Sequence, residues 1–323
     1  MSDDYSCPIC AKPARQAPPW LSIPVDVKSG QAIETGELVW CDICDIGFMR
    51  RLPTAEETAA AYDLGRYYTH GETHFPQVSE GISDRILIKL AYLRDQGRMI
   101  DAEALLAARP GAARILDIGC GTGNILASLA GEGRVLTGIE PDPEARKVAS
   151  RHGIEVLDGT AEQLPDEVSD RQFDIVILSH VLEHTSDPER ALSNIRKLLA
   201  PGGVVYSEVP NCGSIYFQRN AEISEMLDLP RHLHFFTAAS LARVASASGL
   251  FITDWRFHGF TRHFGGGWRA WENRIHDMLR EAGSEVKTPR RSYASSLSLL
   301  AAAAFAAPER KYDCIGFFAR KAG

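Results

Sequence analysis

The chain has no apolar run long enough to cross a bilayer: its most apolar stretch, Leu297 to Ala307, falls well short of the ~20 residues a spanning helix needs. It also lacks a secretory start. The opening residues Met1-Ser2-Asp3-Asp4-Tyr5 are acidic and lead straight into cysteines, with neither a basic n-region nor an apolar core. A cytoplasmic setting is therefore expected. Positive charge is in deficit as well, with 35 Lys and Arg against 42 Asp and Glu and a formal net charge of −7. That balance argues against a nonspecific binder of phosphate backbones, whose affinity comes from clustered cations. What remains is an ordinary globular composition. At 323 residues and 45% hydrophobic content, the chain can hold one large or two modest domains, each with a true core.

Four of the seven cysteines fall in two knuckles, Cys7-Pro8-Ile9-Cys10 and Cys41-Asp42-Ile43-Cys44, with thirty residues between them. This is the spacing of a four-cysteine zinc ribbon. Four thiolates close a tetrahedron and leave no open position, so such a metal is structural and contributes on the order of 10 kcal/mol to a unit too small for its own core. Redox disulfides and an iron–sulfur cluster are the competing readings. Cys120, Cys212 and Cys314 are scattered and read as small buried residues. Residues 1–50 carry four cations against seven acids, a net of −3, so recruitment of RNA by the ribbon is disfavoured.

The most informative stretch is Leu116-Asp117-Ile118-Gly119-Cys120-Gly121-Thr122-Gly123-Asn124. Three glycines at alternate positions after a short apolar run mark a strand turning tightly into a helix over a nucleotide-like ligand. The pattern is GxGxG, whereas a dinucleotide fingerprint reads GxGxxG, so nicotinamide and flavin cofactors lose ground. About twenty residues on, Val135-Leu136-Thr137-Gly138-Ile139-Glu140 reads as a second buried strand ending in an acid able to accept both ribose hydroxyls. Then come Val156-Leu157-Asp158-Gly159-Thr160-Ala161, the strand Phe173 to Ser179 with His180 in the turn behind it, and the turn Leu199-Ala200-Pro201-Gly202-Gly203.

This ordered series resembles the class I S-adenosylmethionine-dependent methyltransferases over roughly residues 110 to 260. The resemblance implies a Rossmann-like α/β fold: a seven-stranded sheet with an antiparallel last strand, preceded here by the ribbon and interrupted before its last strand by a helical insertion. It also implies a cofactor site made by Asp117, Gly119, Cys120, Gly121, Gly123, Glu140, Pro141, Thr160, Ala161, Ser179 and His180. Many relatives carry an acid where Thr160 stands, which leaves the adenine contact to Thr160 or the Ala161 backbone. Together with Trp40 to Phe48 and Arg66-Tyr67-Tyr68, the order of parts is similar to bacterial methyltransferases that place a zinc ribbon and an aromatic segment before the cofactor domain. Many of those are thought to act on sugars, glycans or other natural products.

Methyl transfer to a hydroxyl needs a proton acceptor, and an unperturbed histidine pKa of about 6.5 suits that role. His180, at the carboxyl end of a strand where α/β proteins bind ligands, is one candidate. His232 and His234, in Leu229-Pro230-Arg231-His232-Leu233-His234-Phe235-Phe236-Thr237, are the others. In zinc-containing sugar C-methyltransferases a glutamate lies between two histidines at the corresponding place; Leu233 stands here, which favours O- over C-methylation. His180-Val181-Leu182-Glu183-His184 also matches HxxEH of inverted zinc peptidases, but that motif needs one continuous helix. A strand ending at Ser179 and a helix start at Ser186-Asp187-Pro188-Glu189 leave no room for it.

The expected organisation is a ribbon over 1–52, a linker, lid-like loop and packing helix over 53–110, the cofactor core over 111–259, a helical insertion over 260–310, and the final core strand over 311–323. Tyr67, Tyr68, His70 and His74 are candidates to cover substrate or to pack the ribbon on the core. Residues 84–108 read as one kinked helix or two, broken near Gly97. The 297–307 run behind Lys287, Arg290 and Arg291 reads as a packing or dimer helix, with transient contact to a membrane surface as the other reading. The expected function is methyl transfer from S-adenosylmethionine to a small-molecule hydroxyl. Its rivals are C-methylation of a sugar, RNA methylation through the ribbon, and cofactor binding without catalysis.

Overall fold

The computed structural model describes residues 5–62 and 80–322. Tyr67, Tyr68, His70 and His74 lie outside the described residues. Mostly apolar runs form the parallel strands β4 (Arg114–Ile118), β5 (Val135–Ile139), β6 (Glu155–Leu157), β7 (Phe173–Ser179) and β8 (Leu199–Pro210), the first three followed directly by a glycine or an acid. With β10 (Leu250–His258) and β11 (Cys314–Lys321) they make one seven-stranded sheet in the order β10-β11-β8-β7-β4-β5-β6. Strand β11 runs antiparallel to both neighbours, as the sequence led us to expect. The order reverses beside β4, so β4 and β7 leave a crevice at their carboxyl ends, the place where such sheets bind ligands.

Helices α4 (Asn124–Ser128), α5 (Pro143–Ser150), α6 (Pro188–Leu198) and α8 (Ala238–Ala247) connect these strands. Helix α6 buries Ala191, Leu192, Ile195 and Leu198, spaced to lie on one face. Its cap is Asp187, whose side chain accepts the Arg190 N–H, one residue later than the serine-led start read from the sequence. Ser186 instead gives its hydroxyl to Glu162.

The ribbon contributes β1 (Pro19–Ser22), β2 (Glu37–Cys41) and β3 (Ile46–Met49). Its sheet is completed by β9 (His234–Phe235), a segment distant in sequence, in the order β1-β2-β3-β9. Register pairs are Gly47 with Phe235 and Phe48 with His234. Helix α1 (Ala55–Tyr62) follows the ribbon, and the 84–108 region resolves into two helices, α2 (Ile82–Tyr92) and α3 (Ala102–Ala108). Gly97 lies between them because a Cβ there would come within 2.7 Å of the Phe257 carbonyl. The insertion before β11 supplies α9 (Gly266–Glu281) and α10 (Tyr293–Ala303), while α7 (Ile215–Asn220) follows β8. Tyr216 of α7 hydrogen-bonds the fully buried Glu272 of α9 at 2.5 Å, which ties the insertion to the end of β8. No helix among the described residues is long and apolar enough to cross a membrane.

Candidate active site

The turn after β4 has its three glycines at φ +69°, +53° and +80° for Gly119, Gly121 and Gly123, a region L side chains avoid. A Cβ on Gly119 would lie 2.6 Å from Val181, and one on Gly123 would lie 3.0 Å from Ala149. On Gly121 it would meet nothing within 4 Å, so the middle of the loop faces open space, as a cradle for a ligand requires. Cys120 is buried, its sulfur set against the glycine at position 138, where a Cβ would come within 2.6 Å.

Glu140 stands at the end of β5, opposite the loop. Its Oε2 accepts the Gly121 N–H at 2.8 Å and its Oε1 the Asp142 N–H at 2.9 Å. Burial raises its pKa, and the two backbone N–H groups oppose the rise. Arg146 fixes the same turn from behind, bonding the carbonyls of Glu140 and Pro141, each at 2.7 Å, and Asp158 at 3.0 Å. Asp117, near the end of β4, is buried with one carboxylate oxygen unpartnered. Burial, and secondarily the charge of Glu140, push its pKa up to about 8. Beyond β6, the Thr160 hydroxyl accepts the Gln163 N–H at 3.0 Å, and the buried Ala161 gives its carbonyl to Asn194 at 3.2 Å.

The expected histidines take three different places. His180 follows Ser179 at the tip of β7 in left-handed backbone, φ +55°. Its Nδ1 lies 3.1 Å from Glu183 and its Nε2 3.3 Å from Glu208, while its side chain remains 42% exposed. Lost hydration lowers its pKa, but hydrogen bonds to Cys314, Glu183 and Glu208 outweigh this and hold it well above the ordinary histidine value. Glu208 also pairs with His258 at 2.9 Å and accepts the Tyr206 hydroxyl. His232 is buried, with Nδ1 on the Met226 carbonyl at 2.9 Å, and burial followed by the charge of His184 lowers its pKa to about 4. His234 is buried in β9, with Nε2 3.0 Å from the Tyr5 hydroxyl, and burial lowers its pKa to about 3. Tyr5 also bonds the Ser186 carbonyl, so His234 sits where ribbon and core join.

Two buried carboxylates, Glu183 and Glu208, flank His180: sequence reasoning met Glu183 only within the HxxEH match it set aside, and did not single out Glu208. Glu208 had a signal, being the one acid inside the apolar strand Val204 to Val209.

In the ribbon, Cys7, Cys10, Cys41 and Cys44 bring their sulfurs within 4.8 Å of one another, and all four are free thiols. The Cys10 and Cys41 sulfurs are 3.7 Å apart. Ligands about 2.3 Å from a central ion at tetrahedral corners would be separated by about 3.8 Å, so this donor set fits a four-coordinate metal. The knuckles turn alike, since Ala11 and Asp45, each directly after a second cysteine, both adopt left-handed φ (+56° and +57°).

Fold and glycine loop together define a methyltransferase domain of the class I, S-adenosylmethionine-dependent type. A family model described as a methyltransferase domain matches residues 92–254, half of the chain, and the chain belongs to this family. The ubiquinone biosynthesis O-methyltransferase of Aeromonas salmonicida is 36% identical over 153 residues, which are 44% of this chain and 64% of that protein. Its counterpart from Rhizobium leguminosarum is 30% identical over 184 residues, or 52% of this chain and 71% of that one. The chain thus spans slightly less than two thirds of the first of these curated relatives. Among solved structures, the 1,6-didemethyltoxoflavin-N1-methyltransferase of Burkholderia thailandensis is 17% identical with a TM-score of 0.46, covering 89% of this chain and 96% of that one.

Proposed function

We propose that this chain transfers a methyl group from S-adenosylmethionine to a hydroxyl oxygen of a small-molecule acceptor, a sugar, glycan precursor or related natural product, with His180 as proton acceptor. One observation carries the reading. The open glycine loop, the ribose acid Glu140 and the half-exposed His180 stand at the carboxyl ends of neighbouring strands β4, β5 and β7. Loop N–H groups and Asp117 would bind the methionine end, Glu140 the ribose, and Thr160 or the Ala161 backbone the adenine.

In the reaction, the acceptor oxygen forms a bond to the methyl carbon as the carbon–sulfur bond breaks, and sulfur keeps that electron pair as a neutral thioether. The hydroxyl proton passes to the His180 imidazole, where Glu183 and Glu208 stabilise the resulting cation. The same carboxylates favour a resting proton on His180, and the positive sulfonium brought to the strand ends opposes it. His180 is the choice among the three histidines because His232 and His234 are both buried. Oxygen as the methylated atom is supported by relatives named as O-methyltransferases.

Within this reading the four thiolates hold a structural zinc in a ribbon over 1–52. Residues 53–110 connect it to the core over 111–259, which 311–323 completes, and the 260–310 insertion packs on α7 and α2. Reduced thiols, and hence the zinc, fit a cytoplasmic setting. The test is to incubate the zinc-loaded chain with S-adenosylmethionine and a panel of nucleotide sugars, glycan precursors and quinols, and to map the methylated atom. S-adenosylhomocysteine formed together with an O-methyl product supports the reading. Methyl on carbon or nitrogen overturns it, as does a chain that binds the cofactor yet methylates nothing in the panel.

A further inference from the structure

Glu183, His184 and His232 meet beside the tip of β7, and each presents a hydrogen-bond acceptor. His184 has its Nδ1 3.0 Å from the Arg231 carbonyl, with the Tyr62 hydroxyl 3.1 Å from the same nitrogen. His232 has its Nδ1 2.9 Å from the Met226 carbonyl. A carbonyl oxygen can only accept, so both rings carry their hydrogen on Nδ1 and leave Nε2 as a lone pair. The rings meet edge to face with centroids 4.6 Å apart. Glu183, 1% exposed, gives Oε1 to His180 and leaves Oε2 with no hydrogen-bond partner. Ligating atoms of the three side chains lie within 4.8 Å of one another. Two buried acceptors and the half-buried His184, gathered without a donor among them, are costly unless something positive satisfies them together.

We propose that Glu183, His184 and His232 bind a divalent transition-metal cation through one carboxylate oxygen and the two Nε2 atoms. Two imidazoles and one carboxylate suit zinc, iron or manganese ions, and three protein ligands leave a coordination position open, unlike the closed four-thiolate cluster. The outer partners are of the kind that orient metal-binding histidines, since both Nδ1–H groups are pinned to backbone carbonyls. The carboxylate's second contact, His180, puts the cation next to the residue assigned as proton acceptor. The role given to the ion rests on the methyl-transfer reading: the acceptor hydroxyl takes the open position, its pKa falls, and its proton goes to His180 before the oxygen attacks the methyl carbon.

The test uses the full chain with zinc in its cysteine cluster. Co2+ is added, excess is removed by gel filtration, and bound metals are counted by mass spectrometry alongside the visible spectrum. One cobalt per chain in addition to zinc is expected, with ligand-field bands and no thiolate charge-transfer band. Glu183→Gln and His232→Gln should each weaken cobalt binding at least 10-fold while retaining zinc and the wild-type circular dichroism. Absence of cobalt from the wild type, its appearance only by displacing zinc from thiolates, or equal uptake by folded His232→Gln would each overturn the site. Cobalt uptake is read without turnover. A chain that binds cobalt but methylates nothing therefore counts against the proposed reaction alone, and a metal-independent methyltransferase without cobalt counts against this site alone.

Discussion

Glu140 reaches back across the crevice and takes the N–H of Gly121, 2.8 Å away, so the acid assigned to ribose and the loop assigned to the methionine end are held by one hydrogen bond. Glu140→Ala removes that tie as well as the two ribose contacts proposed for the carboxylate. Hydrogen bonds to charged groups contribute about 1.5–3 kcal/mol each. Affinity for S-adenosylmethionine and S-adenosylhomocysteine should therefore fall at least ~100-fold by calorimetry. Glu140→Gln, which keeps one acceptor oxygen, should lose less; equal losses would mean that the carboxylate serves the loop and not the ribose.

Asp117 makes a pH-dependent prediction. In the folded chain its pKa is about 8, whereas its ordinary value is 3.8. Between those values the folded state keeps a proton that the unfolded state releases, so this group's contribution to stability declines as pH rises from about 4 toward 8. Measured by urea denaturation from pH 5 to 7, wild type should lose about 1.4 kcal/mol per pH unit relative to Asp117→Asn. A pH-independent difference would show that Asp117 is ionised throughout. The ammonium of bound S-adenosylmethionine would lower the same pKa, so calorimetry at pH 7 in buffers of different ionisation enthalpy should detect proton release on binding.

The glycine loop, Glu140 and the order of the strands are legible in the sequence because they are local. Apolar runs, turn glycines and a terminal acid each declare themselves within ten residues. The surroundings of His180 are less so. Glu183 lies in the same short motif, but Glu208 arrives from β8 and Cys314 from β11, and only the sheet brings them together. His234 shows the limit most clearly. Its sequence neighbours suggested a catalytic loop, whereas its register partner in the fold is Phe48 of the ribbon, an antiparallel pairing across nearly two hundred residues that no period or spacing announces. The same is true of the contact between Arg231 and Asp26, 205 residues apart.

That contact belongs to a buried cluster of four charges. Arg231 bonds Asp26 at 2.7 and 3.0 Å and Asp228 at 2.9 Å, and Lys28 pairs with Asp228 at 2.6 Å. Two cations and two acids, one of each from the ribbon segment, join it to the loop that carries His232. Replacing one member leaves an uncompensated buried charge, which typically costs about 3–5 kcal/mol. Arg231→Met should destabilise by that amount in urea denaturation. Restoring balance with Asp26→Asn in the same chain should recover part of the loss, so the double variant must be more stable than the sum of the single changes. Additive losses would mean that the charges act independently.

The strand pairing between β3 and β9 would make a metal held by the four ribbon cysteines matter to the site. A metal on the four thiolates would hold Cys41 at the end of β2 and Cys44 just before β3, and β3 in turn pairs with Phe235 and His234. Stripping the metal with a chelator, or replacing Cys41 with Ser, removes the closure that keeps β2 and β3 aligned, since a closed metal site of this kind contributes directly to folding. The disturbance should reach residues 231–237 through β9 while the strands β4, β5 and β7 hold: one face shares its apolar core with the ribbon, but their parallel ladder and the other face, where Ile115, Ile175 and Ile177 pack with Leu105 and Leu126, do not involve it. Hydrogen exchange is the measurement. Protection should fall across 37–49 and 231–237 and stay within error at 114–118 and 173–179. If protection falls in the ribbon but not at 231–237, β9 does not depend on the metal and the ribbon is only an appendage to the core.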